Sequence, residues 1–227
     1  MLISMTSTPP APTNDTRDRI LDAAERLFVE NGFDGTSMRM ITGAANANLA
    51  AINYHFGGKD ALVQEVFRRR LAALNARRLA ELDRLEAEAA GAPLKPSRIV
   101  EAFFGTALEL AADTEHGGRT FMRLLARTYT EPNAFVRQFL AEEYAEVMDR
   151  FLGALFRALP EVPRAEILWR FHFMIGAMAF AIAGLGGLSE LMEVGPQDED
   201  PARLLPRLMS FLLGGLRAPL PDGGLQG

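Results

Sequence analysis

The chain reads as an all-α protein, and three features of its 227 residues say so. Ala, Leu, Glu and Arg fill long stretches without a breaker, whereas the β-branched and aromatic residues that favour strands are thinly spread. Apolar residues recur along those stretches at three- and four-residue spacing. Pro and Gly stand where such stretches begin and end. With 48% apolar residues there is ample material for a buried core.

Residues 1–14 hold no Lys or Arg and are rich in Thr, Ser and Pro, so a disordered tail is expected there rather than a signal peptide. Asp15 or Thr16 can cap a first helix in which Ile20, Ala24, Leu27 and Phe28 share a face, with Asp22, Glu25, Arg26 and Glu30 mostly on others. Gly32 closes it. Ser37 can cap a second, short helix whose Met38, Ile41 and Ala45 point inward. Asn46 supplies a tight turn, since Asn tolerates positive φ, and a third helix follows from about Asn48 to Tyr54. Gly57 and Gly58 break the chain before a long helix from Lys59 or Asp60 to near Ala90, carrying Leu62, Val66, Leu71 and Leu74. Residues 91–96 (Gly-Ala-Pro-Leu-Lys-Pro) form the clearest linker. Helices are then expected at roughly Ser97 to Ala112, Gly118 to Tyr129, Pro132 to Leu159, Pro163 to Leu188 and Pro201 to Leu216. The expected organisation is a tail (1–14), a compact head (15–58), a connecting helix (59–90), a helical body (97–216) and a flexible end (217–227).

Two short helices joined by a tight turn and braced by a longer one make a tri-helical helix-turn-helix, whose last helix offers its amino-terminal face to the major groove. Here that helix would expose Asn48, Leu49, Ala50, Asn53 and Tyr54, with Ala51 and Ile52 inward. Asn amides pair with adenine edges, Leu49 and Ala50 can touch thymine methyls, and the Tyr54 hydroxyl can reach a phosphate. Thr36, Ser37, Arg39 and Lys59 stand at helix starts or on exposed sides, where hydroxyls, backbone N–H groups and the helix dipole hold phosphate. His55, between Tyr54 and Phe56, either touches a phosphate or packs. The net charge of −5 counts against nucleic acid, but its distribution does not. From Asp15 to Arg78 ten Lys or Arg face eight Asp or Glu, whereas Leu79 to Gly227 holds fourteen against twenty-one. The excess acid belongs to the body.

The order Thr36-Ser37, Ile41, Ala44-Ala45, Ile52, Tyr54-His55-Phe56 and Lys59-Asp60-Ala61-Leu62 resembles the DNA-binding head of the TetR family, over roughly Arg17 to Phe67. The resemblance implies a homodimeric repressor of double-stranded operator DNA. It also implies a helical body that binds a small effector and dimerises through its last two long helices, here about 163–188 and 201–216. Asn46 replaces the usual Gly and Asn48 a common Ser or Thr, both tolerable because Asn adopts the left-handed conformation and caps helices. Asn53 stands where a Tyr often occurs and puts one customary phosphate contact in doubt. The run from Asn48 to Gly57, followed by Gly58-Lys59, is similar to the fatty-acid-responsive PsrA-like branch, which implies a long-chain fatty acid or acyl-CoA effector.

The body is rich in Phe and Met, residues that build both cores and adaptable apolar pockets. Phe104, Phe121, Met122, Phe139, Phe171, Met174 and Met178 are the candidate ligand-lining residues. Arg123, Arg170 and His172 lie in apolar stretches and are candidates for holding a carboxylate, with a salt bridge to a neighbouring Glu the favoured reading for each. Phe171 to Ser189 carries no formal charge and is long enough to span a bilayer. It is nevertheless full of Gly and Ala and lacks an aromatic belt, as expected of a helix that meets a core on one side and a partner subunit on the other. No membrane association is expected.

The absence of cysteine removes disulfides and thiolate chemistry and leaves a cytoplasmic location as the default. No cofactor or metal site is expected: the three His residues lack ligand spacing, Asp60 replaces the Ser or Thr a P-loop needs after Gly57-Gly58-Lys59, and no G-x-S-x-G occurs. An enzyme would need a convergent acid and base that the sequence does not offer. A helical interaction domain without DNA binding and an activator of the same fold remain alternatives; duplex binding and the sign of regulation separate them.

Overall fold

A computed structural model of the chain describes residues 14–129, 133–183 and 201–220, and among these every regular element is helical. The expected amino-terminal tail up to residue 13, the helix start at Pro132, residues 184–188 of the apolar helix and the last seven residues lie outside the described residues. The chain divides into two compact units, residues 1–68 and 69–227.

In the first unit, α1 (Asn14–Gly35) is broken at Gly32, whose φ of 78° is the left-handed geometry a side chain would resist. Immediately after it, the buried Thr36 hydroxyl donates to the carbonyls of Leu27 (3.0 Å) and Gly32 (2.8 Å), tying the end of α1 to the start of α2. α2 (Met38–Ala45) and α3 (Leu49–Phe56) follow, then the first turns of α4 (Lys59–Ala89). Ile20, Ala24, Phe28, Ile41, Ala45, Ile52, Leu62 and Val66 are all buried, and the rings of Phe28, Phe33 and Phe67 close the centre. Of the residues expected inward, Leu27, Met38 and Ala51 are only half-buried, whereas Glu25, expected on an outer face, is buried.

In the second unit, the remainder of α4 presents Leu71, Leu74, Arg78, Leu82 and Leu85 as a buried stripe at helical spacing. The chain continues through α5 (Pro96–Val100), a π-helical turn (Glu101–Gly105) and α6 (Thr106–Ala112). α7 (Gly118–Arg127), α8 (Ala134–Ala158), α9 (Arg164–Ala183) and α10 (Pro201–Arg217) complete it. Phe103, Phe104, Phe151 and Phe171 form its aromatic centre, with ring centroids 4.9–5.4 Å apart. α9 buries Ile167, Phe171, Met174 and Met178 but leaves Trp169, Phe173 (63% exposed) and Phe180 on its outer side. Its segment Arg164–Ile182 has the length and mean hydropathy (1.3) of a membrane span, yet its inner face is packed into this unit.

Candidate nucleic-acid interface

The reading helix is set by caps that the sequence supplies locally. Ser37 is extended and accepts a hydrogen bond from the Met40 N–H at 3.2 Å, starting α2. Asn46 ends α2 in the left-handed region (φ 48°, ψ 51°), and the Ala47 N–H reaches back to the Thr42 carbonyl at 2.9 Å. Asn48 then caps α3, its Oδ1 accepting from the Ala51 N–H at 2.8 Å. Gly57, at φ 78°, ends α3 and allows α4 to begin two residues later.

Because Ile52 and Phe56 anchor α3 in the core, its opposite side faces solvent: Leu49, Ala50, Asn53 and Tyr54, the last 76% exposed. Asn48 is exposed beside them; its Oδ1 is engaged in the cap, which leaves its amide N–H groups to reach outward. Arg39 and Ser37 are exposed on α2, and Lys59 sits half-exposed in the first turn of α4, next to the unsatisfied N–H groups of that helix. Hydrogen-bonding amides, apolar contacts and a phenol thus share one side of α3, and cations stand on the helices before and after it, the mixture that reads base edges and holds phosphate. Exposed Met40 on α2 lies outside the expected set.

Two of the expected residues are placed differently. Thr36 is fully buried with its hydroxyl committed to two backbone carbonyls, so its side chain is a structural tie and not a phosphate contact. His55 is half-buried against Tyr54 and Phe56, with a buried Nε2 that has no hydrogen-bond partner among the described residues, so that edge of the ring is not presented outward. Arg17 is paired with Glu65 and stacked 5.5 Å from the centre of the Phe56 ring, so it braces the head.

The second unit contains an apolar cavity of about 340 Å³ lined by residues of α4, the π-helical turn, α7, α8 and α9 and by Thr128 and Tyr129 just past α7. Of the ligand-lining candidates, Met178 borders it. Phe104, Phe121, Met122, Phe139, Phe171 and Met174 are buried without lining it, and Arg123 is exposed. Arg170 pairs with Glu166 at 2.8 Å and donates to the Leu216 carbonyl at 2.7 Å, so it clamps the end of α10. The cavity's polar residues, Arg78, Thr128, Tyr129, Arg137 and Tyr144, were not in the expected set. The available signal was Arg78 itself, a charge at helical spacing with Leu71, Leu74, Leu82 and Leu85 of α4.

Comparison with known proteins places both units. The profile of the bacterial regulatory proteins of the tetR family matches residues 20–66, and that of the tetracyclin repressor-like C-terminal domain matches residues 101–215. The chain is 43% identical over 51 residues to a probable HTH-type transcriptional regulator of Bacillus subtilis, YttP, a match covering 22% of this chain and 25% of that one. It is 38% identical over 71 residues to the HTH-type transcriptional repressor AcnR of Corynebacterium glutamicum, covering 31% and 35%. These matches thus span only about a quarter to a third of the curated relatives' length. The structure of the transcriptional regulator FadR from Bacillus subtilis in complex with stearoyl-CoA superposes with a TM-score of 0.61 at 15% identity, over 88% of this chain and 98% of that one. With one profile on the helices of the reading surface and the other on just over half of the chain, this protein belongs to the TetR family, DNA-binding transcriptional regulators and not enzymes.

Proposed function

We propose that the protein is a homodimeric cytoplasmic repressor that binds a short, roughly palindromic operator and leaves it when a small apolar effector occupies the body. The solvent-facing side of α3, set by the Asn48 cap, together with Arg39 on α2 and Lys59 at the start of α4, carries this reading. Two such heads would sit about 34–36 Å apart, or a multiple of that, to meet successive major grooves. Release needs only that the effector bind the DNA-competent conformation less well than the other.

The dimer reading is supported by the outer sides of α9 and α10. Trp169, Phe173, Phe180 and Phe211 are exposed there, and a Cβ added at Gly176, Gly214 or Gly215 would meet nothing, so a partner's helices have room to approach. An exposed aromatic surface of this kind marks an interface. The cavity supports the effector reading, and the FadR neighbour, described with stearoyl-CoA, together with the PsrA-like run from Asn48 to Gly57, favours a long-chain fatty acid or acyl-CoA.

Selection from a random duplex library should enrich a palindrome, and on that DNA Lys59→Ala should weaken binding and lower the salt slope by about 1. Failure to enrich any duplex at moderate salt would remove the DNA-binding reading for this chain. Sedimentation should give twice the 24.9 kDa chain mass, and Phe173→Asp should give the chain mass.

A further inference from the structure

Arg78 is 1% exposed, yet no carboxylate contacts it among the described residues. Its Nε donates to the Phe103 carbonyl at 3.0 Å, and its Nη1 lies 3.5 Å from Asn75 Oδ1. Its guanidinium stacks 3.9 Å from the centre of the Phe103 ring. The Tyr144 hydroxyl accepts a third hydrogen bond, so these contacts use three of five N–H donors and bring no negative charge. The Phe103 carbonyl also accepts from the Thr106 hydroxyl at 3.1 Å and belongs to the π-helical turn, a backbone defect that often marks functional sites.

A guanidinium does not lose its proton in a protein, and a buried charge is normally paired. The phenols beside Arg78 do not supply the missing anion. Burial raises the pKa of Tyr144 and of Tyr129, so both remain neutral hydroxyls at physiological pH. Thr128 spends its hydroxyl on the Leu125 carbonyl at 2.7 Å. All these groups border the same cavity, which continues as an apolar wall of Leu140, Met148, Ile175 and Met178, with exposed Arg137 also among its lining residues. The cavity offers one buried positive charge, neutral phenol donors and a greasy remainder, and lacks a negative charge.

We infer that this cavity binds a free carboxylate with an apolar chain, the carboxylate docking on Arg78 and the chain lying along Met148, Ile175 and Met178. The inference rests on the reading of this cavity as the effector site above, narrows the effector to the free acid and shortens its chain from long to medium. An acyl chain lying in this apolar cavity sets its head group at buried Arg78, where a thioester carbonyl is uncharged and keeps the coenzyme A phosphates away from the guanidinium, so the free acid fits and the coenzyme A ester does not. A volume near 340 Å³ is at the small end of ligand cavities, which favours a medium chain.

The test titrates the full-length protein with decanoate, 1-decanol and decanoyl-CoA by calorimetry. Decanoate should bind at least about tenfold more tightly than either of the others. Arg78→Met should cost decanoate at least tenfold and leave decanol unchanged. Because an uncompensated buried charge is exchanged for an apolar side chain of similar length, the unliganded variant should melt no lower than the wild type. Tyr144→Phe, which keeps the ring, should weaken decanoate several-fold and decanol not at all, and it decides the matter should Arg78→Met fail to fold. Decanol or decanoyl-CoA binding as tightly as decanoate, competed by a cavity-filling Met178→Trp change, would overturn the carboxylate assignment and keep the effector reading. No binding by any of the three would overturn both.

Discussion

In the head, Ser37 and Asn48 hydrogen-bond to backbone three residues away, and Asn46 turns the chain by its own φ. In the body, the decisive polar bonds reach much further: Arg78 to Phe103 across 25 residues, Arg170 to Leu216 across 46, and Asn75 to Glu143 across 68. The head uses polar residues to define short helices and frees an exposed side of α3 for another molecule. The body uses them to hold distant helices around a cavity. A surface that must present fixed side chains to a groove is well served by local caps. A cavity is bordered by residues from distant parts of the chain, so its chemistry depends on long-range packing.

Breaking a long-range bond in which a buried charge is paired should therefore cost more than breaking a cap. Arg170→Met leaves Glu166 and the Leu216 carbonyl without their buried partner and should cost about 3 kcal/mol, or roughly 10 °C in thermal unfolding. A loss no greater than that of a cap variant would erase the contrast. Two helical glycines, one in each unit, should also differ in tolerance of added atoms. A Cβ at Gly118 in α7 would lie 2.3 Å from the Leu110 carbonyl oxygen, so Gly118→Ala should cost about 2 kcal/mol in a denaturant melt. Gly43 in α2 is open, and Gly43→Ala should be neutral or stabilising by up to about 1 kcal/mol.

Within the head, Thr36→Val removes the donor shared by two carbonyls and should cost about 1.5 kcal/mol, against about 1 kcal/mol for Ser37→Ala. The smallest effect concerns Asp113, a local cap inside the body. The backbone N–H of His116, its imidazole and the Glu115 N–H hold its carboxylate below the usual range. A depressed folded pKa gives stability that is present above the unfolded value of about 3.9 and is lost as pH falls through the folded one. Asp113→Asn should flatten stability against pH only below about pH 4, by a small amount at this exposed site; a change near neutrality would place its role elsewhere.

Much of the head was legible because its signals are short. Asn46 and Asn48, where Gly and Ser or Thr are customary, were expected to turn and to cap, and the backbone angles and hydrogen bonds agree. Thr36 misled because a hydroxyl at a helix start looks like a phosphate ligand. Its burial comes from the return of the chain across α1 after Gly32, which spacing does not reveal. Among the body's candidates, aromatic residues at core spacing could not be told from cavity walls, since both are apolar and periodic.

The sequence by itself determined the helical class, the placement of the breaks and the outward side of α3, because helix propensity, capping and left-handed turns act within about four residues. Even the anomaly at Arg78 is written in the stripe of α4. Only tertiary structure decided that no acid among the described residues meets that charge, that Tyr129 and Tyr144 stand beside it, and that aromatic rings on α9 and α10 remain outside the core. Those outcomes depend on which distant helices pack together, and a pattern read within single helices does not contain that information.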